Sequence, residues 1–143
     1  MLRNIPDIIS PALMKTIMDM GHGDEICFAD ANFPSETMGQ RVVRADGLKI
    51  PDLLTAVLQF FPLDVYVKQP VILMDAPEGE SPRVWAVYDE IIKKHDFTKA
   101  HTDYDKMERF AFYERSKRCF AVVATSEYEG YSNIILKKGV IFK

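Results

Sequence analysis

The chain has 143 residues, 48% hydrophobic and 27% charged, with a net charge of -3 at pH 7. That length and balance fit one compact domain spanning residues 1–143 with a sizeable core. A pI near 5.6 provides no basic stripe of the kind nucleic-acid binders carry, and the Arg115, Lys117, Arg118 cluster reads as a solvated helix face. No apolar run is long enough to span a bilayer, and the N-terminus lacks the basic-then-apolar order of a signal peptide. The expectation is therefore a cytoplasmic protein that engages neither nucleic acid nor membrane.

In chain order, Ser10-Pro11 predicts an N-cap followed by proline at the first helical position, with Leu13, Met14, Ile17 and Met18 forming one apolar face. Gly21 closes that helix. Ile26 to Ala29 is a short continuous apolar run between polar boundaries, the pattern of a buried strand. Residues 31–40 are rich in turn formers and read as a long connection. Val42-Val43 makes a second short strand, and Pro51 opens a helix whose Leu53, Leu54, Val57, Leu58 and Phe61 recur at helical spacing.

Strands are expected at 65–67 and 71–74, with Pro70 at a strand start or edge, then a polar loop over 75–83. Val84, Val87, Tyr88 and Ile91 set the inward stripe of a third helix that runs to about Lys94. Residues 97–106 carry no assignable pattern. Met107, Phe110, Ala111 and Glu114 suit a fourth helix, followed by a buried strand over 120–123. Two short strands, 133–136 and 140–142, pivot at Gly139. Helices alternating with strands favour a three-layer α/β/α sandwich with a mostly parallel, mixed central sheet.

Cys27 and Cys119 sit inside apolar segments, where a thiol packs as a small hydrophobe. A disulfide would need an oxidising compartment that nothing else suggests. The three histidines show no pairing at metal-ligand spacing, so no metal is expected; His95 and His101 read as solvent-facing.

The segment Met20-Gly21-His22-Gly23-Asp24-Glu25 sets an imidazole in a glycine hinge just before the first strand. Glycines on both sides let the backbone turn sharply and the ring stand clear. An imidazole titrates near neutrality, so His22 could both take and give a proton; the plainer reading is an exposed loop residue. Asp24 could orient the His22 ring or cap the strand entry. In an α/β sheet, ligands gather at the carboxyl ends of strands. Asp30 stands there, as ligand group or loop cap, and Tyr131-Ser132-Asn133 precedes a strand where a hydroxyl, a carboxamide and backbone amides could meet a polar ligand.

Met20 to Glu25, Phe28-Ala29-Asp30-Ala31, Phe33-Pro34, Arg44 to Leu48, Asp52-Leu53-Leu54, Arg109 to Arg115 and Asn133 to Val140 together resemble the fucose branch of the ribose pyranase and fucose mutarotase family. The resemblance runs in order from the N-terminus to Gly139 and is weakest between about Ala76 and Asp105. It implies an isomerase that interconverts the α and β anomers of L-fucose without metal or organic cofactor. It implies His22 as proton donor and Asp30, Arg109, Tyr131, Ser132 and Asn133 as sugar-binding residues. Ser132 stands where fucose-type relatives often have glycine. Arg109, where ribose-type relatives carry histidine, favours the fucose type. It also implies a ring-shaped homo-oligomer, most often a decamer, with sites near subunit boundaries.

The residues suit that chemistry. Opening a hemiacetal removes the anomeric hydroxyl proton while protonating the ring oxygen, and one imidazole with a complementary group contributes about 10²- to 10⁴-fold. Asp30 would accept from sugar hydroxyls and Arg109 donate to two oxygens; Tyr131 could stack on the sugar or relay a proton. Asp24, Arg44 and Tyr113 are expected as supporting groups, with a packing role open for Tyr113. Two further readings stand beside this one: a pyranase or mutarotase for D-ribose or another aldose, and a monosaccharide-binding protein without catalysis.

Overall fold

The computed structural model describes residues 1–143. Six strands form one mixed sheet: β1 (Glu25–Ala29), β2 (Val42–Ala45), β3 (Val71–Met74), β4 (Asp105–Met107), β5 (Ala121–Thr125) and β6 (Ile134–Lys137), in spatial order β2-β5-β1-β6-β3-β4. β2, β5 and β1 run parallel, as do β3 and β4; β6 lies antiparallel between the two blocks. The sheet is thus mixed with parallel pairs in the majority, as the alternation of elements predicted.

Alternation along β1 explains the layers. Ile26 and Phe28 point into the larger core, with Leu13 and Ile17 of α1 (Pro11–Asp19), Leu53, Leu54 and Val57 of α3 (Ile50–Val57), and Val84, Tyr88 and Ile92 of α4 (Arg83–His95). Cys27 and Ala29 point the other way, joining Phe33, Phe112 and Cys119 under α2 (Ser35–Met38) and α5 (Arg109–Ser116). Each large apolar side chain buried this way contributes about 1.5–3 kcal/mol. Both cysteines are free and buried. Burial pushes the Cys119 thiol up to about 12 and Cys27 higher than an ordinary thiol, so neither is a ready nucleophile.

The helix ends follow their local chemistry. Ser10 accepts from the Leu13 amide at 3.1 Å, and Pro11 occupies the first turn of α1. Met18, expected on the apolar face, is 74% exposed. Residues 35–38 form a single helical turn inside what reads as a long connection.

Several expectations are corrected. Residues 65–67 are not a strand: the Asp64 carboxylate accepts from the Tyr66 amide at 3.0 Å, closing a turn that turns Val65 and Tyr66 outward. Residues 140–142 are not a strand either, and Ile141 and Phe142 stand exposed. In α4 the buried stripe is Val84, Trp85, Tyr88 and Ile92, rotated from the expected one, with Val87 exposed. Met107 belongs to β4, and α5 buries Phe112 and Ser116 while Phe110 faces out. His101 is half-buried against the Tyr104 ring, centroids 4.5 Å apart, and its Nδ1 has no partner.

Candidate active site

Strand direction sorts the predicted residues onto two opposite edges of the sheet. Asp30 follows β1, Asp75 follows β3, Arg109 follows β4, and Asn133 precedes the antiparallel β6, so all four sit at one edge. His22 precedes β1 and sits at the other, where Gly23 donates to the Lys138 carbonyl just beyond β6. Five strand residues at about 3.3 Å each put roughly 17 Å between the edges.

At the first edge, Asp30 and Asn133 form a reciprocal pair. The Asp30 amide donates to Asn133 Oδ1 at 2.8 Å, and Asn133 Nδ2 donates to Asp30 Oδ2 at 2.7 Å. Asp30 Oδ1 accepts from the Asn32 amide at 2.9 Å. Both side chains are buried, and burial raises the Asp30 carboxyl above its ordinary value against the opposing hydrogen bonds. Asp30 lines a cavity of about 250 Å³ with Phe33, Glu36, Arg44 and Thr125. A second cavity, about 350 Å³, is lined by Asp75, Glu108, Arg109, Phe110 and Tyr131. Between them stand the edge-to-face rings of Phe33, Tyr113 and Phe110, with centroids 5.3 and 6.1 Å apart.

The loop carrying Tyr131-Ser132-Asn133 is braced from α4. Trp85 Nε1 donates to the Tyr131 carbonyl at 3.1 Å and the Tyr88 hydroxyl to the Ser132 carbonyl at 2.6 Å. In return the Glu129 carboxylate accepts from the Arg83 and Val84 amides at 2.7 and 3.2 Å, capping a helix whose own cap residue, Pro82, offers no side-chain acceptor. These bonds hold Tyr131 at φ 58, a conformation a non-glycine residue adopts only when its surroundings impose it. Ser132 Oγ is buried without a partner.

At the opposite edge, His22 Nε2 lies 3.2 Å from Asp64 Oδ1, with the ring half exposed and the carboxylate buried. A carboxylate only accepts, so Nε2 carries the hydrogen and Nδ1 is left free for a reacting partner. The Tyr66 ring flanks the imidazole at 5.6 Å. Asp24 does not touch the ring: its carboxylate accepts from the Gly21 amide at 2.8 Å and shapes the turn instead. Arg44 pairs with Asp46 while lining the Asp30 cavity. Tyr113 packs on Phe33 and Phe110, with no bond to a polar site residue.

Asp64, Asp75, Trp85, Tyr88 and Glu129 were not among the predicted site residues. Asp64 was hidden by the strand-like Val65-Tyr66-Val67 run, although an acidic residue directly after Pro62-Leu63 is itself a turn signal. Trp85, Tyr88 and Glu129 are joined to the site by sequence-distant bonds that no local pattern reveals, and Asp75 reaches it through the end of β3.

Residues 3–141 match the RbsD / FucU transport protein family. The chain is 46% identical to the fucose mutarotase of Mus musculus over 148 aligned positions, covering 98% of this chain and 95% of that protein. It is 45% identical to the Homo sapiens fucose mutarotase, covering 98% and 94%. The crystal structure of the Streptococcus pneumoniae fucose mutarotase in complex with L-fucose superimposes with a TM-score of 0.91 at 46% identity, covering 99% of this chain and 100% of that one. This chain belongs to the RbsD / FucU family.

Proposed function

We propose that this protein is an aldose mutarotase, an isomerase that interconverts the α and β anomers of L-fucose. The observation that carries this reading is the gathering of Asp30, Asn133, Arg109 and Tyr131 at one sheet edge in a chain 45–46% identical to fucose mutarotases along nearly its whole length. The buried Asp30–Asn133 pair offers acceptors and donors to ring hydroxyls, Arg109 a forked donor, and Tyr131 an aromatic wall. Ser132 contributes the backbone between them.

The reaction needs two proton transfers. The anomeric hydroxyl gives up its proton to a water or carboxylate of the site, the ring oxygen receives one, and the bond between ring oxygen and anomeric carbon breaks to leave an aldehyde. Rotation about the bond from C1 to C2 presents the other face, and closure reverses both transfers. His22 donates to the ring oxygen from Nδ1 as an imidazolium whose Nε2 hydrogen Asp64 holds; in the neutral ring, with its hydrogen on Nε2, Nδ1 is an acceptor and takes the proton back on closure.

No sugar ring spans roughly 17 Å, so His22 and Asp30 of one chain cannot act on the same molecule. The imidazole comes from a second copy, which makes the active form a homo-oligomer. Exposed Val65 and Tyr66 beside His22, and Ile141 and Phe142 beyond the same edge, supply the apolar surface for such a contact.

Saturation-transfer NMR on L-fucose, D-ribose and galactose tests the reading. The wild type is expected to exchange the anomers of L-fucose fastest, and His22→Ala to lose exchange while still binding the sugar. Faster exchange of D-ribose would move the assignment to a pyranase, and binding without exchange above the spontaneous rate would leave a sugar-binding protein.

A further inference from the structure

The cavity beside Arg109 contains an acceptor that nothing in the chain uses. Asp75 and Arg109 line the same space of about 350 Å³, and neither belongs to any of the ion pairs in the protein. Arg109 instead lies over the Phe110 ring, 4.5 Å from its centroid. The Asp75 backbone is fixed: its amide donates to the Met107 carbonyl at 2.7 Å, carrying the β3–β4 pairing one residue further. One carboxylate oxygen, Oδ1, accepts from the Ala76 amide at 3.0 Å; the other has no donor in the chain.

Glu108, the other carboxylate on this cavity, is occupied. Its Oε2 accepts from the Phe110 and Ala111 amides at 2.8 and 3.2 Å as the cap of α5. Asp75 is therefore the group with a free acceptor facing a cavity that also holds an unpaired guanidinium. Both side chains are exposed on this open cavity and do not pair with each other, so each keeps a free acceptor or donor for a ligand there. A sugar hydroxyl, which both donates and accepts, can satisfy both at once. The exposed Phe110 ring and Tyr131 add apolar walls for the C–H faces of a pyranose.

We propose that Asp75 is a substrate-binding residue that accepts a hydrogen bond from a ring hydroxyl of the aldose held by Arg109, and so helps decide which aldoses the site takes. The inference rests on the mutarotase reading above and names a contact to the sugar beyond the Asp30, Arg109 and Tyr131–Asn133 set. A hydrogen bond to a charged group, once lost, typically costs about 10- to 100-fold in affinity.

The test is Asp75→Asn beside Asp75→Ala. Asparagine keeps an oxygen for the Ala76 amide but turns the free acceptor into a donor, so it isolates the sugar contact from the turn. KM and kcat for L-fucose come from saturation-transfer NMR. An independent Kd comes from the fluorescence of Trp85, the single tryptophan, whose indole is bonded to the Tyr131 carbonyl. The expected result is a rise of about tenfold or more in KM and Kd for both variants, with kcat within about twofold and thermal midpoints unchanged. KM and Kd at wild-type values in the Asn variant would overturn the proposal, as would a fall in kcat at unchanged KM. A wild type that neither binds nor exchanges L-fucose would instead overturn the mutarotase reading, and this contact with it.

Discussion

The two edges of this sheet differ in how their polar groups are held. At the Asp30 edge Asp30 and Asn133 are buried and paired with each other, and the 131–133 loop is braced from α4, so this part is stiff before any ligand arrives, with exposed Asp75 and Arg109 beside it. At the His22 edge a half-exposed imidazole rests on one buried carboxylate among outward-facing Val65 and Tyr66. In the function proposed above, the first edge grips the sugar and the second delivers a proton to a sugar held by another copy. The difference teaches that the residues proposed for grip and for proton transfer are divided in space by the length of β1.

The largest expected effect would break that comparison outright. His22→Ala and Arg109→Ala should each reduce anomer exchange about 100-fold or more, through loss of the acid and of the grip respectively. After mixing under conditions that let subunits re-associate, activity should return, because some interfaces combine an intact His22 with an intact Arg109. Saturation-transfer NMR before and after mixing reads this directly. If mixing restores nothing while mixed oligomers form, the two edges act within one chain and the division argued above is wrong.

A second perturbation acts on the scaffold between the edges. The Arg115 guanidinium of α5 donates to both Glu25 oxygens at the start of β1, at 3.0 and 2.7 Å, with both side chains largely buried. Burial works to raise the Glu25 carboxyl, but Arg115 and Lys137 together outweigh it and hold the carboxyl below its ordinary value of 4.5. Arg115→Ala leaves that largely buried carboxylate with only the Lys137 ammonium at 3.4 Å and should cost about 3 kcal/mol, measured by urea unfolding. The pH dependence follows in sign. Between the native and unfolded values the unfolded chain binds the extra proton, so the pair's contribution is full above about 4.5 and disappears as pH falls through the native value. The variant should show a flatter acid limb than the wild type.

Asp64→Asn sharpens the contrast at the His22 edge alone. Asp64 Oδ1 serves both the Tyr66 amide and His22 Nε2, so an asparagine that keeps its oxygen there preserves the turn and the tautomer and removes the negative charge behind a ring that must carry both hydrogens to act as a donor. Exchange should fall at least about tenfold, a loss of about 1.4 kcal/mol of transition-state stabilisation, with KM unchanged. Nitrogen-15 shifts of the His22 ring would report its protonation. Wild-type protonation with wild-type exchange would show that Asp64 only shapes the loop.

How much of this was legible in the sequence depends on whether the deciding contacts are local. Ser10-Pro11 started α1 and the Leu53, Leu54, Val57 spacing set the buried face of α3, because capping and helical periodicity are near-neighbour effects. The strand reading at 65–67 failed because one side-chain bond from Asp64 outweighed a short run of β-branched and aromatic residues. The stripe of α4 was displaced because Trp85 turns inward to reach the carbonyl of Tyr131, 46 residues away. At the site, residue types and motif resemblance selected Asp30, Arg109 and Asn133. The separation of His22 from them required strand order and direction, which depend on pairings between residues about 100 positions apart.

The smallest expected effect concerns Ser132, on the grip side. Its hydroxyl is buried with no partner, while its carbonyl is held by the Tyr88 hydroxyl. An unsatisfied buried hydroxyl costs about 1–3 kcal/mol, and alanine removes the group without enlarging the side chain. Ser132→Ala should therefore raise stability by about 1 kcal/mol, seen as a higher urea midpoint at unchanged slope. The backbone groups of the loop stay in place, so anomer exchange should hold within about twofold. Lower stability in the variant would mean that a water satisfies the hydroxyl and that the serine is part of the bracing. A variant that is more stable but has a several-fold higher KM would instead make the hydroxyl a sugar contact that the loop opens to deliver, and the stiffness assigned to this edge would have to be given up.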